Sequence, residues 1–263
     1  MFHGLFPIYS RYSLVMSLKY PPIPWLAPGQ DFPDLSMAWG DDSPAPGLLA
    51  AGGALDINTL SKAYSNGIFP WFSDGQPILW WSPNPRMMLD VSQFRLHASL
   101  RKKLGKFLKT QGCEVRIDSA TKEVISSCAK SNRKGQAGTW IVSEMIEAYE
   151  AMHHAGLVHS VETWVNEELV GGLYCVAIGK AVFGESMFNR STDASKIALS
   201  ALVAFCRHNG IQYVDCQQNT RHLASMGAKE ITRELFIRNV TSGISQVAPS
   251  WRFNPSLWSE VIP

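Results

Sequence analysis

The sequence predicts an α/β fold, with a small N-terminal domain followed by a larger domain built on a mixed sheet. Three observations carry that expectation. Helical-period segments such as SLRKKLGKFLKTQG, SEMIEAYEAMHHAG and ASKIALSALVAFCRHN are interleaved with short apolar or alternating runs that read as strands. The dipeptides Asn166-Glu167 and Gly179-Lys180 separate three strand-like runs, HSVETWV, ELVGGLYCVAIG and AVFGESMF, giving a meander rather than a regular βαβ series. Pro83 and Pro85 in SPNPR enforce a turn or linker. The domain boundary is placed there, dividing residues 1–84 from 85–263.

The elements follow in order. Residues 1–47 are rich in Pro, Gly, Asp and Ser, show no sustained period, and read as an irregular lead-in. Asp56 is placed to cap a helix over INTLSKAYSN, which Gly67 stops. IFPWF and the apolar run ILWW come next. Beyond the boundary lie a basic helix closed by Gly112, a strand over CEVRID, and a helix over SATKEVISSCAK with Ser119 near its N-cap. SNRKGQAG reads as a polar loop. Ser143 caps the following helix and Gly156 stops it. After the meander a helix follows Asp193; it is apolar on most faces, hence buried, and ends at Gly210. A strand over IQYVDCQ, a short helix at TRHLASMG and another after Thr232 complete the chain.

With 46% hydrophobic and 17% charged residues, the chain can bury a core and is too apolar for disorder. A net charge of +2 neither demands nor excludes nucleic acid, because a basic footprint can be local. Cys113, Cys128, Cys175, Cys206 and Cys216 include no Cys-x-x-Cys pair and no His at finger spacing, so neither disulfides nor a metal are expected. A reducing compartment fits. Pro7, Arg11 and Lys19 interrupt the N-terminal stretch, and no run reaches spanning length. The expectation is a cytoplasmic monomer with no membrane segment. Without a P-loop or dinucleotide fingerprint, no cofactor is expected.

Four groups of residues are candidates for chemistry. In DCQ, strand alternation would put Asp215 and Gln217 on one face and Cys216 on the other, and polar side chains on an apolar strand require partners or a substrate. In FGESMF, Glu185 is costly to bury unpaired. Trp71, Trp80, Trp81 and Trp140 stand beside Pro, Gly or Trp in loops and short runs, where flat rings suit stacking as well as core packing. Arg101, Lys102, Lys103, Lys106 and Lys109 fall at helical spacing, which suits phosphate contacts or a solvated face.

Taken together, GLLAAGGALD, NGIFPWFSDGQPILWWSPNPR, GTWI with EAY, HSVETW, ELVGGLYCVAIG, FGESMF, ASKIAL and VDCQ with HLASMGA resemble the leucyl/phenylalanyl-tRNA–protein transferase family. The match runs in order from about Gly47 to about Ala228, and WWSPNPR with GES is specific to that family. The resemblance implies a C-terminal domain similar to the acetyltransferase (GNAT) superfold. It implies transfer of Leu or Phe from aminoacyl-tRNA to proteins beginning with Arg or Lys, marking them for degradation. It places Asp215, Gln217 and Glu185 at the reacting centre and Trp71, Trp140 and Tyr149 at the donor site. Leu173, Met187, Leu199, Leu202 and Val214 are candidates for its apolar pocket. Phe183 departs from the family pattern, which is often small there. If alternation continues to Glu185, its ring would narrow the pocket and favour Leu over Phe.

The activated ester needs no ATP. The expected chemistry is a relay in which Asp215 orients Gln217 while Glu185 neutralises or deprotonates an amine; a version with Asp215 as the base stays open. Two rival readings are an acetyl-CoA-dependent acetyltransferase and a non-catalytic tRNA-binding module.

Overall fold

A computed structural model describes residues 20–131 and 142–262. Residues 132–141, among them Trp140, and the first nineteen residues lie outside the described residues. Two sheets meet at the double-proline segment. The first joins β1 (Trp25–Leu26), β2 (Leu48–Gly52), β3 (Phe69–Pro70) and β4 (Leu79–Trp81) in the order β1-β2-β4-β3. β1 pairs in parallel with β2, so part of the expected irregular lead-in is tied into a sheet. Helix α1 (Ile57–Ser65) follows the expected cap: the Asp56 carboxylate accepts the Thr59 N–H at 3.0 Å.

The second sheet has seven strands: β5 (Arg86–Asp90), β6 (Cys113–Ile117), β7 (Val158–Val165), β8 (Glu168–Ile178), β9 (Ala181–Asn189), β10 (Tyr213–Asp215) and β11 (Lys229–Ile231). Their order is β11-β5-β10-β9-β8-β7-β6, antiparallel throughout except for the β9–β10 pair. It is therefore mixed, as expected. Asn166 and Glu167 both have positive φ, 49° and 62°, and form the tight turn between β7 and β8.

Helices α2 (Ala98–Phe107) and α5 (Ala194–His208) cover one face of this sheet. Helices α3 (Thr121–Lys130), α4 (Ser143–His154) and α7 (Arg233–Ile244) share the other with α1 and the first sheet, whose Trp80 and Trp81 belong to that core. The short α6 (Arg221–Ser225) follows β10. Trp80 is fully buried, with its indole N–H on Gly52 O at 2.8 Å, and Trp81 bonds Trp71 O at 2.6 Å; both are core residues rather than stacking platforms.

The starts of α3 and α5 are anchored by particular side chains, and the expected Ser143 cap is corrected. The Ser119 hydroxyl donates to Glu162, whose carboxylate takes the Ala120 N–H at 2.8 Å and so anchors the start of α3. Ser143 is already helical, and its hydroxyl goes to Glu144 at 3.0 Å. Asp193 stands at φ 65° before α5 without capping it; the Asn189 side-chain oxygen Oδ1 takes the Ser195 N–H at 2.7 Å.

Candidate active site

The site forms where β9 and β10 part. They are paired only at Val214–Val182 and Asp215–Phe183. Beyond that point β9 carries a bulge: Cys175 pairs with Gly184 and Tyr174 with Ser186, leaving Glu185 as the extra residue. A bulge inserts one residue and re-aims the side chains beyond it. Phe183 and Phe188 accordingly pack in the core shared with the first sheet, while Met187 turns to the α5 side of the sheet. Gly184 suits this corner, since a Cβ there would stand 3.3 Å from Asp215 O.

The parting strands open a cavity of about 530 Å³, inside the range of small-ligand sites. Leu173, Met187, Leu199, Leu202 and Val214, the apolar candidates, all line it, together with Trp71, Glu185 and Gln217. Phe183 is not among the lining residues. It is 1% exposed, with its ring 5.2 Å from that of Tyr64, so the alternation argument that put it in the pocket fails at the bulge.

The expected strand ends earlier too. β10 stops at Asp215, and Gln217 has a left-handed backbone at φ 52°, so the two do not share a strand face. Asp215 turns inward to Arg86, the last residue of WWSPNPR. The guanidinium Nε and Nη2 donate to its two oxygens at 2.8 and 2.7 Å, and neither side chain is more than 2% exposed. Phe69 and Phe236 sandwich the guanidinium at 4.7 and 4.4 Å, and Gly67 O takes Nη1 at 3.3 Å. Asp215 Oδ1 also accepts the Gln217 backbone N–H at 2.9 Å, fixing that unfavourable conformation. Arg86 is the functional residue that motif and spacing arguments miss. Its signal in the sequence is an arginine beside an apolar strand, which has to be met by a buried carboxylate.

Glu185 is surrounded differently. Tyr149 donates to its Oε2 at 3.0 Å, Tyr149 shares a 2.7 Å bond with Tyr64 of α1, and Gln217 Nε2 donates to Oε1 at 3.3 Å. Burial pushes the carboxyl up to about 7, against the lowering effect of the tyrosine hydroxyls; the Asp215 charge adds to the rise and Arg86 opposes it. Burial likewise drives the Cys216 thiol well above its usual range, which leaves it a poor nucleophile.

The leucyl/phenylalanyl-tRNA protein transferase model matches residues 88–241, and the model of that family's N-terminal domain matches residues 53–84. A leucyl/phenylalanyl-tRNA–protein transferase of Albidiferax ferrireducens is 62% identical over 247 residues, covering 94% of this chain and 97% of the relative. This chain belongs to that family. A second member, from Polaromonas sp., is 59% identical over 241 residues, with 92% and 94% covered. Among solved structures, a GCN5-related N-acetyltransferase from Kribbella flavida is similar at a TM-score of 0.35 and 9% identity, over 67% of this chain and 61% of that one. A likeness so slight has no bearing on the site.

Of the residues that the family pattern assigns to the donor site, Trp71 reaches the cavity, its ring 5.4 Å from that of Trp81. Tyr149 does not; it is 1% exposed and acts on Glu185 from behind. Trp140 lies outside the described residues. The basic stripe is exposed on α2, with Lys109 in the turn beyond it. Arg101, Lys102 and Lys106 have no acidic partner among the described residues, whereas Lys103 pairs with Asp193, which also holds Lys196 at 2.7 Å. Among the described residues no cluster of His, Cys, Asp and Glu could hold a metal, and no helix is long and apolar enough to cross a membrane.

Proposed function

We propose that this chain transfers Leu or Phe from aminoacyl-tRNA to the N-terminal amine of proteins beginning with Arg or Lys, as a cytoplasmic monomer that marks them for degradation. The observation that carries the reading is a largely apolar cavity that Glu185 and Gln217 also line. An apolar wall of leucines, Val214 and Met187 suits a Leu or Phe side chain, and the two polar residues suit the amines that flank the ester.

The chemistry follows from the two carboxylates. Asp215 has both oxygens committed to Arg86 and one also to Gln217, so it is a positioning residue and not the proton acceptor. Glu185, poised at about 7, is the base: it takes the proton of the attacking amine while Gln217, fixed from behind by Asp215, holds its carboxylate. Holding amine and ester together contributes roughly 7–11 kcal/mol. Trp71, which lines the cavity, would stack on the donor's terminal base, and the exposed α2 stripe of Arg101, Lys102, Lys103 and Lys106 would meet its phosphates.

The start of α5 tells against the acetyl-CoA reading. Cofactor pyrophosphate would require a free, glycine-rich helix N-terminus. Here Asn189 fills that position and the Asp193 carboxylate stands beside it. The test is single-turnover transfer of radiolabelled Phe from Phe-tRNA to peptides beginning with Arg, Lys or Ala. Transfer to the first two alone is expected; label appearing equally on all three removes the acceptor assignment, and none on any removes the function.

A further inference from the structure

A second titratable side chain at the donor cavity has no part in the chemistry above. His222 stands in the first turn of α6, behind Thr220, whose hydroxyl accepts the Leu223 N–H at 3.2 Å. It is half-buried and lines the same cavity as Glu185 and Gln217, but from the segment after β10 rather than from the β9 bulge. Among the described residues its hydrogen bonds are backbone ones, Ser225 Oγ and the Met226 N–H on its carbonyl at 2.6 and 3.2 Å, and neither ring nitrogen is engaged. An imidazole on the cavity wall with neither nitrogen held by the protein is free to bond a ligand bound there.

Its surroundings indicate which part. Burial and the Lys196 ammonium hold the imidazole below its usual range, with Asp193 opposing, so near neutral pH it carries one N–H donor and no charge. Asp193 joins Lys196 to Lys103 of the basic helix, so the α2 stripe leads toward this end of the cavity. That is the nucleic-acid side of the donor. Of the groups that take part in the transfer, the donor side chain has the apolar wall and the attacking amine has Glu185; the departing ribose oxygen still requires a donor for its growing charge.

We propose that His222 is a catalytic residue for the leaving group, its ring N–H hydrogen-bonding the ester oxygen of the donor's terminal ribose. The inference rests on the aminoacyl-transfer reading. In the step, the amide C–N bond forms and the ester C–O bond breaks. The amine's proton passes to Glu185 and from there to the ribose oxygen, so charge and protons balance. His222 keeps its N–H throughout, as a neutral imidazole can when it stabilises an oxyanion.

The test varies both the residue and the leaving group. With Phe-tRNA and an Arg-initiated peptide, His222→Ala should lower kcat on the order of a hundredfold, with KM and Tm nearly unchanged. His222→Gln, which keeps an N–H donor, should recover part of the loss. With the p-nitrophenyl ester of phenylalanine as donor, whose phenolate leaves unaided, the alanine variant should match wild type. Equal slowing on both esters, a lowered Tm without rescue by Gln, or an unaffected Phe-tRNA rate would each overturn the assignment. A wild-type chain inactive with Phe-tRNA would overturn the functional reading itself, whereas an active wild type with an indifferent alanine variant overturns this inference alone.

Discussion

Asp215 and Glu185 stand on the two strands that part to make the site, and their surroundings drive them to opposite uses. Asp215 is met by an arginine at two points and by a backbone N–H, and it faces away from the cavity. Glu185 is met by a tyrosine and an amide, has no ion-pair partner among the described residues, and lines the cavity. The first carboxylate is committed to the fold; the second is left able to gain and lose a proton. A carboxylate's role here is set by what else is buried beside it, not by its place in a motif.

The largest effect should come from breaking the first environment. Asp215→Ala strands a guanidinium sandwiched between Phe69 and Phe236, and loss of one partner of a buried pair costs about 3–5 kcal/mol. Arg86→Ala strands the carboxylate and should cost the same, with the double variant far from additive. Denaturant melts check this: a Tm close to wild type in both single variants would mean that Asp215 acts on chemistry alone.

Breaking the second environment should spare the fold and stop the reaction. Glu185→Gln should cut single-turnover transfer by roughly 10²–10⁴-fold and remove the acid limb of the rate profile near pH 7. Its stability effect has a definite sign. Because the folded carboxyl titrates near 7 and the free one near 4.5, the folded chain keeps a proton that the unfolded chain releases in between. The contribution of Glu185 to stability is therefore fully present below about 4.5 and lost as pH rises through about 7. The Gln variant should melt with wild type near pH 4.5 and above it at pH 8, by about 2–4 °C for each kcal/mol recovered. A gap that widens toward low pH would reverse the assignment.

A smaller effect separates core from pocket. Phe183→Leu should cost about 1–2 kcal/mol through lost packing on Tyr64, with the Leu/Phe ratio in kcat/KM unchanged. Met187→Ala, on the cavity side of the bulge, should shift that ratio. Selectivity following Phe183 instead would put the bulge description in error.

Much of the fold and site is legible in the sequence because it rests on local chemistry. The Asn166-Glu167 turn, the Asp56 cap and the apolar period of α5 each show in a few neighbouring residues, while the five candidates that line the cavity are reached through the motifs of the family resemblance. Sequence expectations fail where tertiary contacts override a local rule. A bulge at Glu185 is invisible to period-2 counting and moves Phe183 out of the pocket. The Arg86–Asp215 pair spans 129 residues, and no spacing rule reaches that far.

The smallest effect tests a surface rather than a core. Lys102 and Lys106 project from α2 without acidic partners among the described residues, whereas Lys103 is already neutralised by Asp193. Each lysine that displaces a counterion on a phosphate contributes close to one unit to the slope of log affinity against log salt. Replacing Lys102 and Lys106 by Ala should therefore flatten the slope for Phe-tRNA binding by about one to two units. Replacing Lys103 alone should change it less, because phosphate would have to compete with the Asp193 carboxylate. At saturating donor all three variants should transfer at the wild-type rate, since phosphates far from the ester contribute equally to ground and transition states. Filter binding across a salt series reads the slopes. Parallel lines for wild type and the double variant would make the stripe an ordinary solvated face, and a steeper loss for Lys103 would mean that its ion pair opens to receive the tRNA.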